Sequence, residues 1–308
     1  QINGGDIRIA FGYNLFIPTT ILLILVSENI YKDQILDFIM NTLFYSSLMI
    51  FFGYFFSYIY PNDSIIDTLK IFASDFDDRE EMRPITMSIV PKIFFNFTLF
   101  LPSAFVYFLF RNNYSKSLIL AISVLLSLSR AAIAISFLFL LIYILNIYSF
   151  KKFLSNIFLS FIFLILTIFI VDMFIPNAFI HFLNLNDSSL YTVSTRFDQL
   201  DVIYNVFSEN IIYFFVGMGS GTPIYSNFLG MDIYNIEIAP LEILRKYGVF
   251  FFVLIFSLIT KIIFQNFKND KTKSYILIAL LLCTFSNPIL TAPIFIFLYI
   301  LCYYTATE

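Results

Sequence analysis

The sequence predicts an all-α polytopic membrane protein, and three observations carry that expectation. Hydrophobic residues make up 59% of the 308 and charged residues only 13%, with 42 Phe and a mean hydropathy of +0.86, whereas a soluble domain carries about a quarter of its residues as charge. Apolar stretches recur along the whole chain, separated by polar breaks. Lys gathers in alternate breaks, as basic residues do in cytoplasmic loops.

Nine apolar segments can be drawn: Ala10 to Ser27, Phe38 to Tyr60, Pro91 to Phe110, Ser117 to Leu128, Ala131 to Tyr148, Phe153 to Val171, Tyr247 to Thr260, Tyr275 to Phe285 and Ile289 to Tyr304. A spanning helix needs about 20 residues. Ser117 to Leu128 and Tyr275 to Phe285 are therefore half-helices, borrow flanking residues, or sit in a thinned, protein-lined region. The chain begins with Gln1 and enters a segment near Ala10 without the basic start of a signal peptide, so earlier spans are expected to be missing. Cys283 and Cys302 fall in apolar segments and read as packed small hydrophobes. Residues 1–308 thus form a single transmembrane domain with two long outer loops, 61–90 and 172–246.

If the segments alternate, Lys32, Arg111, Lys116, Lys151, Lys152, Lys261, Lys268, Lys271 and Lys273 share one face, which is the cytoplasmic one. The opposite face carries Arg8, Arg79, Arg83, Arg130, Arg196 and Arg245 with Lys70, Lys92 and Lys246. Eight Lys and one Arg inside stand against six Arg and three Lys outside. Guanidinium is the better bidentate partner for phosphate or carboxylate. The outer arginines therefore suit an anionic ligand, or else bridge to the sixteen carboxylates of the same face.

The loop 61–90 opens with an interfacial-helix pattern (Ile65, Ile66, Leu69, Phe72) and continues into the acidic run Asp75 to Glu81. Asp75 and Asp77 make an Asp-x-Asp pair, a pattern that holds a divalent ion in some membrane glycosyltransferases. A solvated acidic loop is the plainer reading. His181 is the only histidine, and without a second His or an external Cys it builds neither a zinc site nor a Cys–His nucleophile. No metal and no cofactor are expected.

Three stretches are candidates for chemistry. Arg130 follows eleven mostly apolar residues, which at about 1.5 Å each reach only half of a core about 30 Å thick. It is expected below the outer surface, either tied to a carboxylate such as Asp172 or awaiting an anionic substrate. Arg196 lies in Ser194-Thr195-Arg196-Phe197-Asp198-Gln199-Leu200-Asp201, read as a helix start capped by Ser194 or Thr195, with Phe197, Leu200, Ile203, Tyr204 and Phe207 on its buried face. It either pairs with Asp198 or Asp201 or faces a phosphate. The cluster Gly217-Met218-Gly219-Ser220-Gly221 lacks a Rossmann or Walker context. It is either a turn joining two helices or a backbone that points N–H groups at a bulky ligand.

Taken in order, Ser129-Arg130-Ala131-Ala132 at a hairpin top, a long outer loop with an early Arg196, Gly217-x-Gly219-x-Gly221, and an amphipathic lead ending in Tyr247-Gly248 resemble the O-antigen polymerase and O-antigen ligase superfamily over about Leu118 to Phe256. The resemblance implies metal-independent, inverting glycosyl transfer at the periplasmic face of the bacterial inner membrane. It implies an undecaprenyl-pyrophosphate-linked oligosaccharide as donor, with Arg130 and Arg196 matching the arginines that bind the pyrophosphate. Gly217, Gly219, Gly221, Tyr234 and Arg245 join them as candidate substrate-binding residues. The ligase pattern has His-Asn where this chain has Tyr234-Asn235, which favours the polymerase branch, with a second lipid-linked repeat as acceptor. Glu237 is the candidate base, a carboxylate above a membrane cavity; a salt bridge from Glu237 to Arg245 or Lys246 is the alternative. Membrane lipids and a chain-length regulator are the expected partners, and nucleic acid is not. A ligase, or a flippase carrying a lipid-linked saccharide, is the competing reading.

Overall fold

A computed structural model describes residues 32–59, 96–127, 129–147, 188–285 and 293–307. The segments Ala10 to Ser27 and Phe153 to Val171, the loop 61–90 with Asp75 and Asp77, Asp172 and His181 lie outside the described residues. The described chain is mostly helical. It divides into two compact units, one built from residues up to Ile39 together with Asn186 onward, the other from Met40 to Leu185.

In the second unit, α1 (Lys32–Ile59) from Met40 onward is followed by a 3-10 turn (Asn96–Phe100) that runs into α2 (Leu101–Phe110). Every residue of α2 from Leu101 to Leu109 is buried, so it is the core helix. Pro102 sits in its first turn, where the missing N–H is not needed. The hydrophilic Arg111-Asn112-Asn113 corner reverses the chain: Asn112 takes a positive φ of 59°, and Asn113 caps α3 (Tyr114–Leu126) by accepting from the Lys116 N–H. Tyr143 on α4 (Arg130–Ile147) donates to Asn112 Oδ1 at 2.7 Å and bonds the Tyr114 hydroxyl at 2.8 Å, closing that end. Lys116 donates to Asn41 and lies over the rings of Phe44 and Phe108 at 5.2 and 4.9 Å.

The first unit carries α5 (Ser188–Glu209), α6 (Ile211–Val216), a hairpin of β1 (Ile224–Ser226) and β2 (Met231–Ile233), and three helices: α7 (Ala239–Asn269), α8 (Lys271–Thr284) and α9 (Pro293–Thr307). The hairpin is antiparallel, with Ile224 opposite Ile233 and Ser226 opposite Met231. It is the one departure from an all-helical chain among the described residues. Asp270 ends α7 and caps α8, accepting from the Thr272 N–H, so the two helices run antiparallel. Lys273 at that turn bridges to Asp33 at the start of α1 over 2.8 Å. The start of α1 and the turn between α7 and α8 thus meet within this unit.

Two described helices are long and apolar enough to cross a membrane, Asp33–Phe52 within α1 and Ala239–Asn269. The other apolar helices among the described residues are shorter: α2, α3, α8, α9 and α4 have 10, 13, 14, 15 and 18 residues, short of the roughly 20 that a perpendicular crossing takes. Cys283 and Cys302 are buried free thiols.

Candidate functional site

The head of α7 carries the polar end of the first unit. The helix opens at Ala239-Pro240, runs through Lys246, and is then broken at Gly248, with φ 79° and ψ 174° inside an otherwise helical run. A break of this kind leaves carbonyls in the preceding turn without their helical donors. The glycine cluster supplies replacements. Met218 N–H donates to Arg245 O at 2.8 Å and Gly219 N–H to Lys246 O at 3.0 Å. Two N–H groups that an anion would have used are therefore spent on the α7 backbone.

This contact needs glycine on both sides. A Cβ on Gly217 would lie 2.3 Å from Lys246 O, and one on Gly248 2.1 Å from Phe215 O. Both residues also hold φ of 79°, a region that side chains disfavour. Gly219 is exposed and meets nothing closer than Thr222 Oγ1 at 3.7 Å, while Gly221 is buried. The cluster connects α6 to the hairpin rather than one helix to another.

Arg245 is the most enclosed charge of this region, 1% exposed. Its Nε and Nη2 donate to Glu242 at 2.9 and 3.0 Å, Nη1 to Thr222 O at 2.9 Å and Nη2 again to Tyr234 O at 2.9 Å. Lys246 donates to Asn235 Oδ1 at 2.8 Å and pairs with Glu242 at 2.7 Å. Glu242 thus balances two buried cations, and those cations pin the glycine loop and Tyr234-Asn235 onto α7. Arg245 acts as a brace inside this layer. Tyr234 contributes its carbonyl to that brace, with a half-buried side chain.

Helix α5 lies across the hairpin. It starts at Ser188, about two turns earlier than the Ser194-Thr195 cap expected from sequence, because no Gly or Pro interrupts the intervening residues. Its buried face also differs from the expected one. Thr195, Gln199, Val202 and Ile203 point inward, whereas Phe197 and Tyr204 are 62% and 72% exposed. Val202 and Ile203 pack with Ile224 and Ile236 in a small core, with Phe207, Met218, Ile233 and Leu241 around it. Two polar side chains of α5 then fix its neighbours. Asp198 accepts from Ser226 Oγ at 2.5 Å and from the Phe228 N–H at 3.2 Å, gripping the hairpin turn. Gln199 Oε1 accepts from the Glu237 N–H at 3.1 Å.

That last bond places Glu237 under Arg196. Arg196 Nε donates to Glu237 Oε2 at 3.1 Å, the two side chains being 34% and 19% exposed. Neither partner proposed from sequence for Arg196, Asp198 or Asp201, is the one bonded here, and Glu237 pairs with Arg196 rather than with Arg245 or Lys246. The half-open pair is a cation and a carboxylate side by side at the surface of the loop layer. It can offer a guanidinium to an anion and a carboxylate to a hydroxyl. Gln199 and Asp198 are the positioning residues that periodicity alone overlooked; a polar residue on the inward face of an otherwise apolar helix was the available signal.

Arg130 belongs to the other unit, where it is the first residue of α4 and is exposed. Ser129 precedes it as a buried residue whose carbonyl accepts from the Ile133 N–H at 2.9 Å. Ala132 is buried beside it. Among the described residues no three His, Cys, Asp or Glu side chains converge as a metal site would require. Comparison with family models, with curated proteins and with solved structures finds no match for this chain.

Proposed function

We propose that this chain is a membrane glycosyltransferase of the polymerase type, which joins undecaprenyl-pyrophosphate-linked repeat units at the outer face of the bacterial inner membrane. The Arg196–Glu237 pair carries the reading. A guanidinium has five N–H donors in a fixed fork and binds phosphate and carboxylate oxygens together. Held 3.1 Å from Glu237 at the head of a helix apolar enough to cross a membrane, it suits a pyrophosphate that arrives on a lipid.

The chemistry follows from those two groups. A hydroxyl of the acceptor sugar attacks the anomeric carbon of the donor, and the bond from that carbon to the pyrophosphate oxygen breaks on the opposite side, so configuration inverts. Glu237 takes the hydroxyl proton. The departing pyrophosphate leaves with the bonding electrons, and Arg196 stabilises the charge that builds on it. Arg130, which matches the second family arginine, is proposed as an anion-binding residue within its own unit. Tyr234 at the position of the ligase His favours transfer to a second lipid-linked repeat over transfer to a lipid A core.

The test is the saccharide ladder of cells whose own copy is deleted and replaced by variants. Arg196→Ala should collapse long chains to single-repeat glycolipid while membrane insertion is retained. A defect that removes even the single repeat would mark a ligase, and lipid-linked repeats trapped inside the cell would mark a flippase; an unchanged ladder would overturn the assignment.

A further inference from the structure

We infer that helix α6, within the loop read from sequence as aqueous, is a membrane-seated wedge whose partner is the acyl chains of the bilayer. The inference rests on the membrane placement proposed above, but not on glycosyl transfer. Helix α6 is almost wholly apolar, Ile211-Ile212-Tyr213-Phe214-Phe215-Val216, and Ile211, Ile212, Phe215 and Val216 are all exposed large hydrophobics. On its inner side Phe214 meets Phe207 edge-on at 5.6 Å.

The exposed side does not stand alone. The Phe215 ring lies 5.9 Å from Phe250, and Phe250 begins an exposed stripe on α7 that continues through Val253, Leu254 and Leu258 at helical spacing. The apolar surface therefore runs unbroken from the loop onto a helix able to cross the bilayer. An apolar patch this continuous marks a protein or membrane contact. Its direct continuation of the α7 stripe makes the occupant lipid.

Span length points the same way. Between the Gly248 kink and the charge of Lys261 there are twelve residues, Val249 to Thr260, which cover about 18 Å of a core about 30 Å thick. Even with the Lys261 stem reaching toward the headgroups, the bilayer must extend past Gly248 to the level of α6. The charges in α7 at that level are covered: Glu242, Arg245 and Lys246 are buried beneath the glycine loop and Tyr234-Asn235. Helix α6 is locked to this height by the Gly217 and Gly248 contact and by Met218 N–H on Arg245 O. The Arg196–Glu237 pair, one helix away, is thereby held near the phosphate layer of the membrane.

The chain contains no Trp, so one introduced indole is a unique reporter. Ile212→Trp, Val216→Trp and, as a reference within α7, Leu254→Trp are placed in the full chain and reconstituted in phosphatidylcholine vesicles, with or without lipid brominated near the head of its acyl chains. Ile212→Trp and Val216→Trp should lose fluorescence to brominated lipid as Leu254→Trp does, and resist quenching by aqueous acrylamide. Quenching of Leu254→Trp alone, with the two α6 indoles open to acrylamide, would overturn the wedge and leave the membrane placement standing. Shielding of the α6 indoles from both quenchers would give the surface to protein and also overturn it. Loss of lipid quenching at Leu254→Trp would remove the membrane placement itself, and the wedge with it.

Discussion

Arg196 and Glu237 are 41 positions apart in the chain and meet at 3.1 Å, because Gln199, one turn along α5 from Arg196, holds the backbone N–H of Glu237. A helix face and an extended segment are thus locked in register by one amide, and the ion pair follows from that register.

Glu237→Gln is the substitution that separates charge from geometry at this pair. The amide oxygen still accepts from Arg196, while the ability to take a proton is lost. Polymerisation rate, read from the lengthening of the ladder after induction, should fall by about 10²-fold or more, the usual worth of a positioned general base. Survival of full-length chains in Glu237→Gln would dismiss Glu237 as the base. Arg196→Lys should lose about tenfold or more, since a point charge does not replace a fork across two groups.

Glu242 should matter for stability rather than for rate. Glu242→Ala leaves Arg245 and Lys246 buried without their shared counter-ion, a loss of about 3–5 kcal/mol when a buried pair is broken. The half-exposed Arg196–Glu237 pair contributes about 0–1 kcal/mol. Thermal aggregation in detergent should therefore drop by many degrees for Glu242→Ala and hardly move for Arg196→Ala; equal midpoints for the two variants would contradict the buried cluster.

Gly217→Ala and Gly248→Ala should each disrupt the seating of the loop on α7, because either Cβ would overlap a backbone carbonyl at 2.1 to 2.3 Å. Gly230→Ala has nothing within 4 Å of its Cβ and should cost only about 1–2 kcal/mol for its left-handed backbone. Limited proteolysis in membrane vesicles would distinguish them. Cleavage within the loop should appear in the first two variants and not in the third.

Arg130→Ala removes an exposed side chain at the head of α4. Its effect on folding should be small, within about 0.5 kcal/mol. If Arg130 binds the pyrophosphate, long chains are lost from the ladder at unchanged protein level. An unchanged ladder would overturn the anion-binding role proposed for Arg130.

Local sequence decided a good deal. Apolar runs marked Phe38 to Tyr60, Ser117 to Leu128, Ala131 to Tyr148 and Tyr247 to Thr260, and their described residues are helical apart from Ser127 and the Gly248 kink. The short segment Tyr275 to Phe285 borrows residues from Lys271 onward, as one of its readings had it. These are properties of neighbours in the chain, which a window of residues contains.

The candidate site was legible only as an inventory. Arg196, Glu237, the glycines, Tyr234 and Arg245 were all visible as unusual residues in one polar stretch, and Arg245 looked no different from Arg196. Tertiary structure alone separated them, by burying Arg245 against Glu242, Thr222 and Tyr234 and leaving Arg196 half-open beside Glu237. It also turned the glycine loop from a free cradle into a close backbone contact, because the Gly248 kink released carbonyls that Met218 and Gly219 satisfy. The physical reason is common to all three. Whether a charge or an N–H is enclosed or left near the surface depends on which partners reach it, and most of those partners lie tens of residues away, where no periodicity records them.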